Sequence, residues 1–213
     1  MFNNSEAEQQ VAEFLLQIKA IKLQPNNPFT WASGWKSPIY CDNRITLSHP
    51  TARTYIRQQL TQLIQEKFGS VGCIAGVATA GIPQGVLVAQ ELGLPFIYVR
   101  SKPKEHGTGS MIEGDNMAGK RVVVIEDLIS TGKSSLQAVE ALRDAGYDVA
   151  GLAAIFTYGF DIATENFNEA KCQFVTLSNY TALIKYAEIN QYISADDTTV
   201  LKQWRENPSV WGR

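Results

Sequence analysis

The chain has 213 residues, of which 45% are hydrophobic and 10% aromatic, a composition that suits a globular protein with a sizeable core. This length favours one sizeable domain with an appendage over two full domains. Lysine and arginine number 19 and aspartate and glutamate number 21, so the net charge is −2 and no overall positive field attracts nucleic acid. The composition therefore excludes a disordered chain and a strongly basic nucleic-acid-binding protein.

The three cysteines, Cys41, Cys73 and Cys172, are far apart and form no CxxC pair. Such spacing indicates neither a disulfide framework nor a thiolate zinc site, and two histidines are too few for a histidine metal cluster. The first ten residues are polar and acidic, unlike a signal peptide. No apolar run approaches the roughly 18 residues that a membrane span requires. We therefore expect a cytoplasmic protein that binds neither membrane nor nucleic acid.

The amino-terminal part of the chain contains two predicted helices. Helical periodicity predicts the first from Ser5, at a capping-box position, to about Leu23. Residues 24–49 are rich in Asn, Pro, Trp and Gly and are predicted to be irregular or short-stranded. The second helix should begin at Pro50, a residue favoured in the first turn, and end at Gly69.

From residue 71 onward, short apolar runs alternate with helical segments. The predicted strands are Val71–Ala78, Leu94–Val99, Arg121–Asp127, Val149–Phe156 and Phe174–Leu177. The predicted helices are Ile82–Leu92, Gly132–Ala145 and two more within Thr181–Trp204. Because the apolar runs are continuous rather than alternating, the strands should be buried on both faces. The sequence therefore predicts an α/β fold with a parallel-sheet core flanked by helices.

Residues 122–135 combine a buried strand, two carboxylates, a turn of small residues and a helix start. The helix N-terminus and the N–H groups of such a turn favour an anion. Glu126 and Asp127 follow the strand, where open α/β sheets place ligands, and carboxylates suit sugar hydroxyls or Mg²⁺. An ordinary capped turn is the alternative. A P-loop is excluded, since its first glycine would fall at Asp127.

Four hydrophobic residues, an acidic pair, two more hydrophobic residues and Ser-Thr-Gly resemble the signature of the type I phosphoribosyltransferases. The resemblance implies that family's fold, with the acidic pair on the ribose of phosphoribosyl pyrophosphate and the turn on its 5′-phosphate. It also implies Mg²⁺, bound mainly through the substrate, with Asp127 as the candidate for direct contact. The substrate-binding residues implied here are Glu126, Asp127, Leu128, Ile129, Ser130, Thr131, Gly132, Lys133 and Ser134.

Residues 100–119 form a predicted loop of about twenty residues without periodicity, a length typical of a lid or a disordered segment. Its cations, which could neutralise a leaving diphosphate, are Arg100, Lys102, Lys104 and His106. A solvated surface loop is the alternative. The spacing of Arg100, Lys104 and His106 resembles the catalytic loop of the orotate phosphoribosyltransferase family, which closes over the partner subunit's site. The resemblance implies a homodimer and makes these three residues catalytic, whereas Lys102 departs from the pattern.

Two further segments resemble the same family. Residues 29–44 resemble its amino-terminal element, which implies that residues 1–49 form a hood over the base, with Tyr40 near it. A family lysine is replaced by Ala32. Residues 76–83 resemble the diphosphate-binding turn, with Thr79 and Ala80 in contact, although Ala80 again replaces a lysine of some members. Without the resemblance, the aromatic residues of 29–44 would be core or interface residues and 76–83 a plain connection.

The resemblance implies one phosphoribosyltransferase domain, residues 1–213, with the activity of the orotate phosphoribosyltransferase family. That glycosyltransferase reaction converts phosphoribosyl pyrophosphate and orotate to orotidine 5′-phosphate and diphosphate. Around Tyr158 the chain lacks an arginine that grips the orotate carboxylate in some members. Two alternatives therefore stay open: a phosphoribosyltransferase for another base, and a non-catalytic sensor of the phosphoribosyl ligand.

Overall fold

A computed structural model describes residues 4–31, 34–103 and 110–212 of the protein. Its helices are α1 (Asn4–Gln17), α2 (Pro50–Phe68), α3 (Gly81–Leu92), α4 (Lys133–Asp144), α5 (Asp161–Glu169), α6 (Tyr180–Ile189) and α7 (Ala195–Glu206). Its strands are β1 (Ile21–Leu23), β2 (Phe29–Thr30), β3 (Lys36–Ser37), β4 (Ile39–Cys41), β5 (Cys73–Val77), β6 (Phe96–Val99), β7 (Ile112–Glu113), β8 (Arg121–Ile129), β9 (Asp148–Thr157) and β10 (Phe174–Asn179). A 3-10 helix spans Asn43–Ser48.

A six-stranded sheet in the order β10-β9-β8-β5-β6-β7 forms the centre of the fold. The first five strands are parallel and only the short edge strand β7 runs antiparallel. Alternate residues of β8 enter two hydrophobic clusters on opposite faces of the sheet: Val123 packs with α1, α2 and α6, and Val124 packs with α4 and α5. The predicted α/β fold with a helix-flanked parallel core is confirmed.

Most predicted elements from residue 50 onward are present within one or two residues. α2 begins at Pro50 and is capped by Gly69, and two helices close the chain as predicted. α5 was not predicted, although it presents Ala163 and Phe167 to the core on one side. β8 runs to Ile129, two residues beyond its predicted end, because it stays paired with β9.

The first helix is shorter than predicted. It ends at Gln17, and Lys19 then adopts a positive φ of 58°, which a continuing helix does not allow. The next residues form β1, antiparallel to β4, so the prediction of a helix to Leu23 is wrong. Ser5 is not the cap either, since α1 already includes Asn4.

The predicted loop 100–119 is also not structureless throughout. Ile112 and Glu113 form β7, which pairs with Val99 and Tyr98 of β6. This pairing brings residues 112 and 113 back to the point where β6 ends. Within the described part of the chain, no helix combines the length and the apolar character needed to cross a membrane.

Candidate functional site

The carboxyl ends of β6, β5 and β8 lie side by side at one edge of the sheet, because these neighbouring strands are parallel. Arg100 follows β6, Thr79 and Ala80 follow β5, and the turn of residues 130–132 follows β8. The last two connections lead directly into α3 and α4. Two helix N-termini, each with unpaired N–H groups and partial positive charge, therefore share one edge of the sheet and favour bound anions.

A close backbone contact sets the distance between these two connections. Gly81, the first residue of α3, lies against β8, and a Cβ there would collide with the carbonyl oxygen of Ile125. Ile125 directly precedes Glu126. The glycine therefore allows the start of α3 to lie beside the acidic pair that ends β8.

The turn between β8 and α4 contains a residue whose backbone adopts the left-handed conformation. Gly132 has a φ of 79°, and a Cβ on it would lie 2.6 Å from the Phe167 ring. The side chain of Asn166 donates a hydrogen bond of 2.9 Å to the carbonyl oxygen of Thr131. The helix α5, which was not predicted, thus contacts the turn through Asn166 and Phe167. The side chains of Lys133 and Ser134 are exposed at the start of α4, whereas Ile129 is buried.

Glu126 and Asp127 differ sharply in their surroundings. Glu126 is only 5% exposed, and its carboxylate accepts hydrogen bonds from the Ser135 hydroxyl at 3.2 Å and from the Asp127 N–H at 3.0 Å. Burial, reinforced by the charge of Asp127, raises the pKa of Glu126 well above its ordinary value. Burial also raises the pKa of Asp127, although the positive charge of Arg44 opposes that rise. Burial thus makes the charged form of both carboxyls less favourable than that of an exposed carboxyl.

A buried side chain connects the hood to this pair. Asn43 is 1% exposed and donates a hydrogen bond of 2.7 Å to the carbonyl oxygen of Asp127. Thr46 donates to the Asn43 carbonyl oxygen at 2.6 Å and accepts from Gln84 of α3 at 3.1 Å. The 3-10 helix is thereby tied to both β8 and α3. The sequence pattern does not single out Asn43, although it lies within residues 29–44, which resemble the family's amino-terminal element.

The other predicted site residues are placed as follows. Tyr40, on β4, is 39% exposed and packs against Phe29 with ring centroids 5.5 Å apart. Arg100 pairs with Glu113 at 3.5 Å, which holds its guanidinium at the end of β6. Thr79 is exposed and Ala80 partly buried. Lys104, His106 and Ala32 lie outside the described residues.

Tyr158, where some family members have an arginine, is a core residue. It is buried, and its ring lies 5.2 Å from Trp31, 5.5 Å from Phe160 and 5.8 Å from Trp204, measured between centroids. The indole N–H groups of Trp31 and Trp204 donate to backbone carbonyls of the hood. The aromatic cluster thus attaches the hood to the end of β9.

Comparisons with known proteins agree with this architecture. Residues 47–187 match the phosphoribosyl transferase domain family. The orotate phosphoribosyltransferase of Phocaeicola vulgatus is 59% identical over 204 residues, 96% of each chain. That of Listeria innocua is 56% identical over 206 residues, 97% of this chain and 99% of the relative.

A solved structure extends the comparison to the fold. The crystal structure of orotate phosphoribosyltransferase from Aeropyrum pernix superimposes with a TM-score of 0.75 at 28% identity, and covers 86% of this chain and 99% of the other. The chain belongs to the phosphoribosyltransferase family and, within it, to the orotate phosphoribosyltransferases.

Proposed function

We propose that the protein transfers the 5-phosphoribosyl group of phosphoribosyl pyrophosphate to orotate, giving orotidine 5′-phosphate and diphosphate in pyrimidine biosynthesis. The observation that carries this function is the acidic pair between two helix N-termini, in a chain 59% identical to a curated enzyme of that name. A sugar bearing phosphates at both ends needs this combination: carboxylates for its hydroxyls and N–H clusters for its phosphates.

The residues of this edge have separable roles in the proposed reaction. Glu126 and Asp127 accept hydrogen bonds from the ribose hydroxyls, the turn of residues 130–134 binds the 5′-phosphate, and Thr79 with Ala80 binds diphosphate. The bond from C1 to diphosphate breaks, its electron pair leaves with diphosphate, C1 bonds to N1 of orotate and the N1 proton is lost. The protein holds the reactants in line and stabilises the charge that develops.

We further propose Mg²⁺ as the cofactor. The described residues contain no group of three or more His, Cys, Asp or Glu side chains that could hold a metal ion by itself. The donor set nevertheless fits, because Mg²⁺ keeps several waters and is typically bound by one or two carboxylates together with substrate phosphates. Asp127, the more open of the two carboxylates, is the protein group for this contact, and the ion would neutralise the charge of the leaving diphosphate.

We further propose that residues 1–213 form one domain with a hood over the base and a catalytic loop. Residues 1–49 would face the base through Tyr40, and residues 100–119 would carry Arg100, Lys104 and His106 to the diphosphate. We propose that the loop acts in the partner's site of a homodimer. The pairing of β7 with β6 supports the location of this loop, because it brings Ile112 back beside Val99 at the end of β6.

Subunit mixing tests the action of the loop across subunits. The variants Lys104→Ala and Asp127→Asn should each be almost inactive alone. Heterodimers of the two contain one site with an intact loop and an intact carboxylate if the loop crosses, and none if it does not. Recovery of activity on mixing supports the proposal, whereas no recovery with heterodimers present, or a monomer in sedimentation, contradicts it.

A cytoplasmic location is also proposed. Cys41, Cys73 and Cys172 are free thiols, which is typical of a reducing compartment. Burial raises the pKa of Cys73 to about 11, so it behaves as a small hydrophobic residue rather than a nucleophile.

Loss of orotate absorbance on mixing the protein with phosphoribosyl pyrophosphate, Mg²⁺ and orotate tests the function. Rapid loss that depends on Mg²⁺ is the expected result. No loss, with turnover of adenine, xanthine or uracil instead, would favour a phosphoribosyltransferase for another base. Ligand binding without turnover of any base would favour the sensor.

A further inference from the structure

The buried face of α4 carries one hydroxyl among apolar side chains. The buried residues of this helix are Ser135, Ala138, Val139 and Leu142, which are spaced as a single helical face. The last three pack in the hydrophobic cluster that α4 forms with the sheet. Ser135 is only 1% exposed, and alanine at this position would fill nearly the same space and favour the helix more strongly. Packing therefore gives no reason for the hydroxyl.

The Ser135 hydroxyl has its partner in the acidic pair. It donates a hydrogen bond of 3.2 Å to Oε2 of Glu126, and the N–H of Asp127 donates one of 3.0 Å to Oε1. A carboxylate bonded at both oxygens has a fixed plane, whereas one bonded at a single oxygen can turn about a soft terminal torsion. Because each ionised oxygen accepts more than one bond, the Glu126 carboxylate keeps acceptor sites for other donors. Ser135 thus fixes the orientation of Glu126 and leaves it able to bind a ligand.

The helix that carries Ser135 also begins at the proposed phosphate turn. Gly132 precedes α4, and Ser135 is the third residue of the helix, directly after Ser134. In the proposed function this turn binds the 5′-phosphate, and Glu126 binds the ribose of the same molecule. The distance between the two groups must therefore match the ligand, and the hydrogen bond from Ser135 joins the start of α4 to the carboxylate that ends β8.

We infer that Ser135 is a positioning residue, which holds the Glu126 carboxylate in the orientation that binds the ribose hydroxyls of phosphoribosyl pyrophosphate. This inference rests on the proposed function, since that function places the ribose at Glu126. Ser135 is buried and acts through Glu126 rather than on the ligand. It lies one position beyond residues 126–134, which the family resemblance assigns to the substrate.

Calorimetric titration and steady-state kinetics of the full-length protein test the inference. Ser135→Ala should weaken the binding of phosphoribosyl pyrophosphate with Mg²⁺ about 10-fold, the value of a lost hydrogen bond to a charged group, and lower kcat/KM for this substrate by a similar factor. The KM for orotate should change less than about threefold, since the base does not contact Glu126 in the proposed function.

Ser178→Ala is the matched control for the loss of a buried hydroxyl. Ser178 is 0% exposed, and its hydroxyl donates to the Glu8 carbonyl oxygen at 2.8 Å, between β10 and α1. This variant should lower the Tm, because a buried acceptor loses its donor, and should leave the kinetics of both substrates unchanged. Thermal unfolding of both serine variants measures how far loss of stability alone affects the rates.

A double-mutant cycle separates action through Glu126 from a general structural effect. In a Glu126→Ala background, Ser135→Ala should change kcat/KM less than about twofold, because the group through which the hydroxyl acts is gone. In a Glu126→Gln background, which keeps the size of the side chain, the hydroxyl faces a neutral acceptor, and the effect of Ser135→Ala should fall to about threefold.

The outcomes separate the inference from the function on which it rests. Unchanged binding of phosphoribosyl pyrophosphate by a folded Ser135→Ala variant would overturn the inference and leave the function standing. A full loss of kcat/KM that persists in both Glu126 backgrounds, or equal increases in both KM values, would also overturn it, because the role would then be structural. Wild-type protein that binds phosphoribosyl pyrophosphate and turns over no base would refute the proposed function, and the titrations would still decide the role of Ser135.

Discussion

The two sides of the candidate site are built in different ways. The sheet edge is made from backbone: two helix N-termini, a left-handed turn at Gly132 and a contact that only glycine allows at Gly81. The hood is made from side chains on strands of two or three residues, attached through aromatic rings and the Asn43 amide. Backbone geometry suits an invariant ligand such as a phosphoribosyl group, whereas side chains can be replaced as the recognition of the base changes.

The largest expected effect is on the sheet-edge side. Asp127→Asn removes the more open carboxylate but keeps its size and the backbone bond from Asn43. Because hydrogen bonds to a charged group contribute about 1.5–3 kcal/mol, we expect kcat/KM for phosphoribosyl pyrophosphate to fall about 100-fold. Initial rates at saturating orotate measure it. A loss of less than threefold would mean that the ribose lies elsewhere.

Asn43→Ala tests the link between the two sides. It leaves the buried Asp127 carbonyl without the amide that donates to it, which costs about 1–3 kcal/mol of unfolding free energy, and keeps the backbone carbonyl of residue 43 that accepts from Thr46. We expect higher KM values for both substrates, since the hood loses a hydrogen bond that fixes its position relative to the sheet edge. Urea unfolding and kinetics measure the two effects. Asn190→Ala, whose amide donates 2.9 Å to a backbone carbonyl at an exposed position, should change neither.

Gly132→Ala tests whether backbone shape determines the turn between β8 and α4, the proposed phosphate site. A Cβ at this position combines a left-handed backbone with a contact of 2.6 Å to Phe167, so we expect a loss of about 1–3 kcal/mol of stability. Thermal unfolding measures it. Gly119→Ala is the matched control, because Gly119 has a similar φ of 86° with open space around it and should lose about 1 kcal/mol. Equal losses in the two variants would show that the Phe167 contact has no effect.

The smallest expected effect is a gain in stability. The folded state raises the pKa of Glu126, so the charged carboxylate opposes folding at neutral pH, and that cost is absent below the unfolded glutamate pKa of about 4.3. Glu126→Gln should therefore raise the Tm by about 2–4 °C at pH 7.5 and leave it unchanged near pH 4, while activity falls. Thermal scans at both pH values measure it. Exposed Glu140→Gln should have no effect, and a lower Tm for Glu126→Gln at pH 7.5 would contradict the proposed burial cost.

The sheet edge was largely predictable because its signals are local. A run of buried hydrophobic residues, an acidic pair and a turn of small residues follow one another within residues 122–135. The residues that begin and cap α2, Pro50 and Gly69, are equally local signals. The hood was not predictable in detail. β1 continues the helical spacing of α1 and becomes a strand only by pairing with β4, twenty residues later in the chain.

The polar contacts of the hood were missed for the same reason. Asn43 lies 84 positions from Asp127 in sequence, and only the folded chain brings them together. α5 likewise supports the turn after β8 through Asn166, which lies 35 positions from Thr131. Sequence patterns report which face of an element is apolar, but they do not report which distant backbone group a polar side chain will meet.

Calorimetric titration with phosphoribosyl pyrophosphate and Mg²⁺, in the absence of orotate, tests the division between the two sides most directly. The proposed division predicts that wild type and Tyr40→Ala bind this ligand with affinities within about threefold, while Asp127→Asn binds it about 100-fold more weakly. Equal affinity in wild type and Asp127→Asn, or a Tyr40→Ala affinity as weak as that of Asp127→Asn, would contradict it.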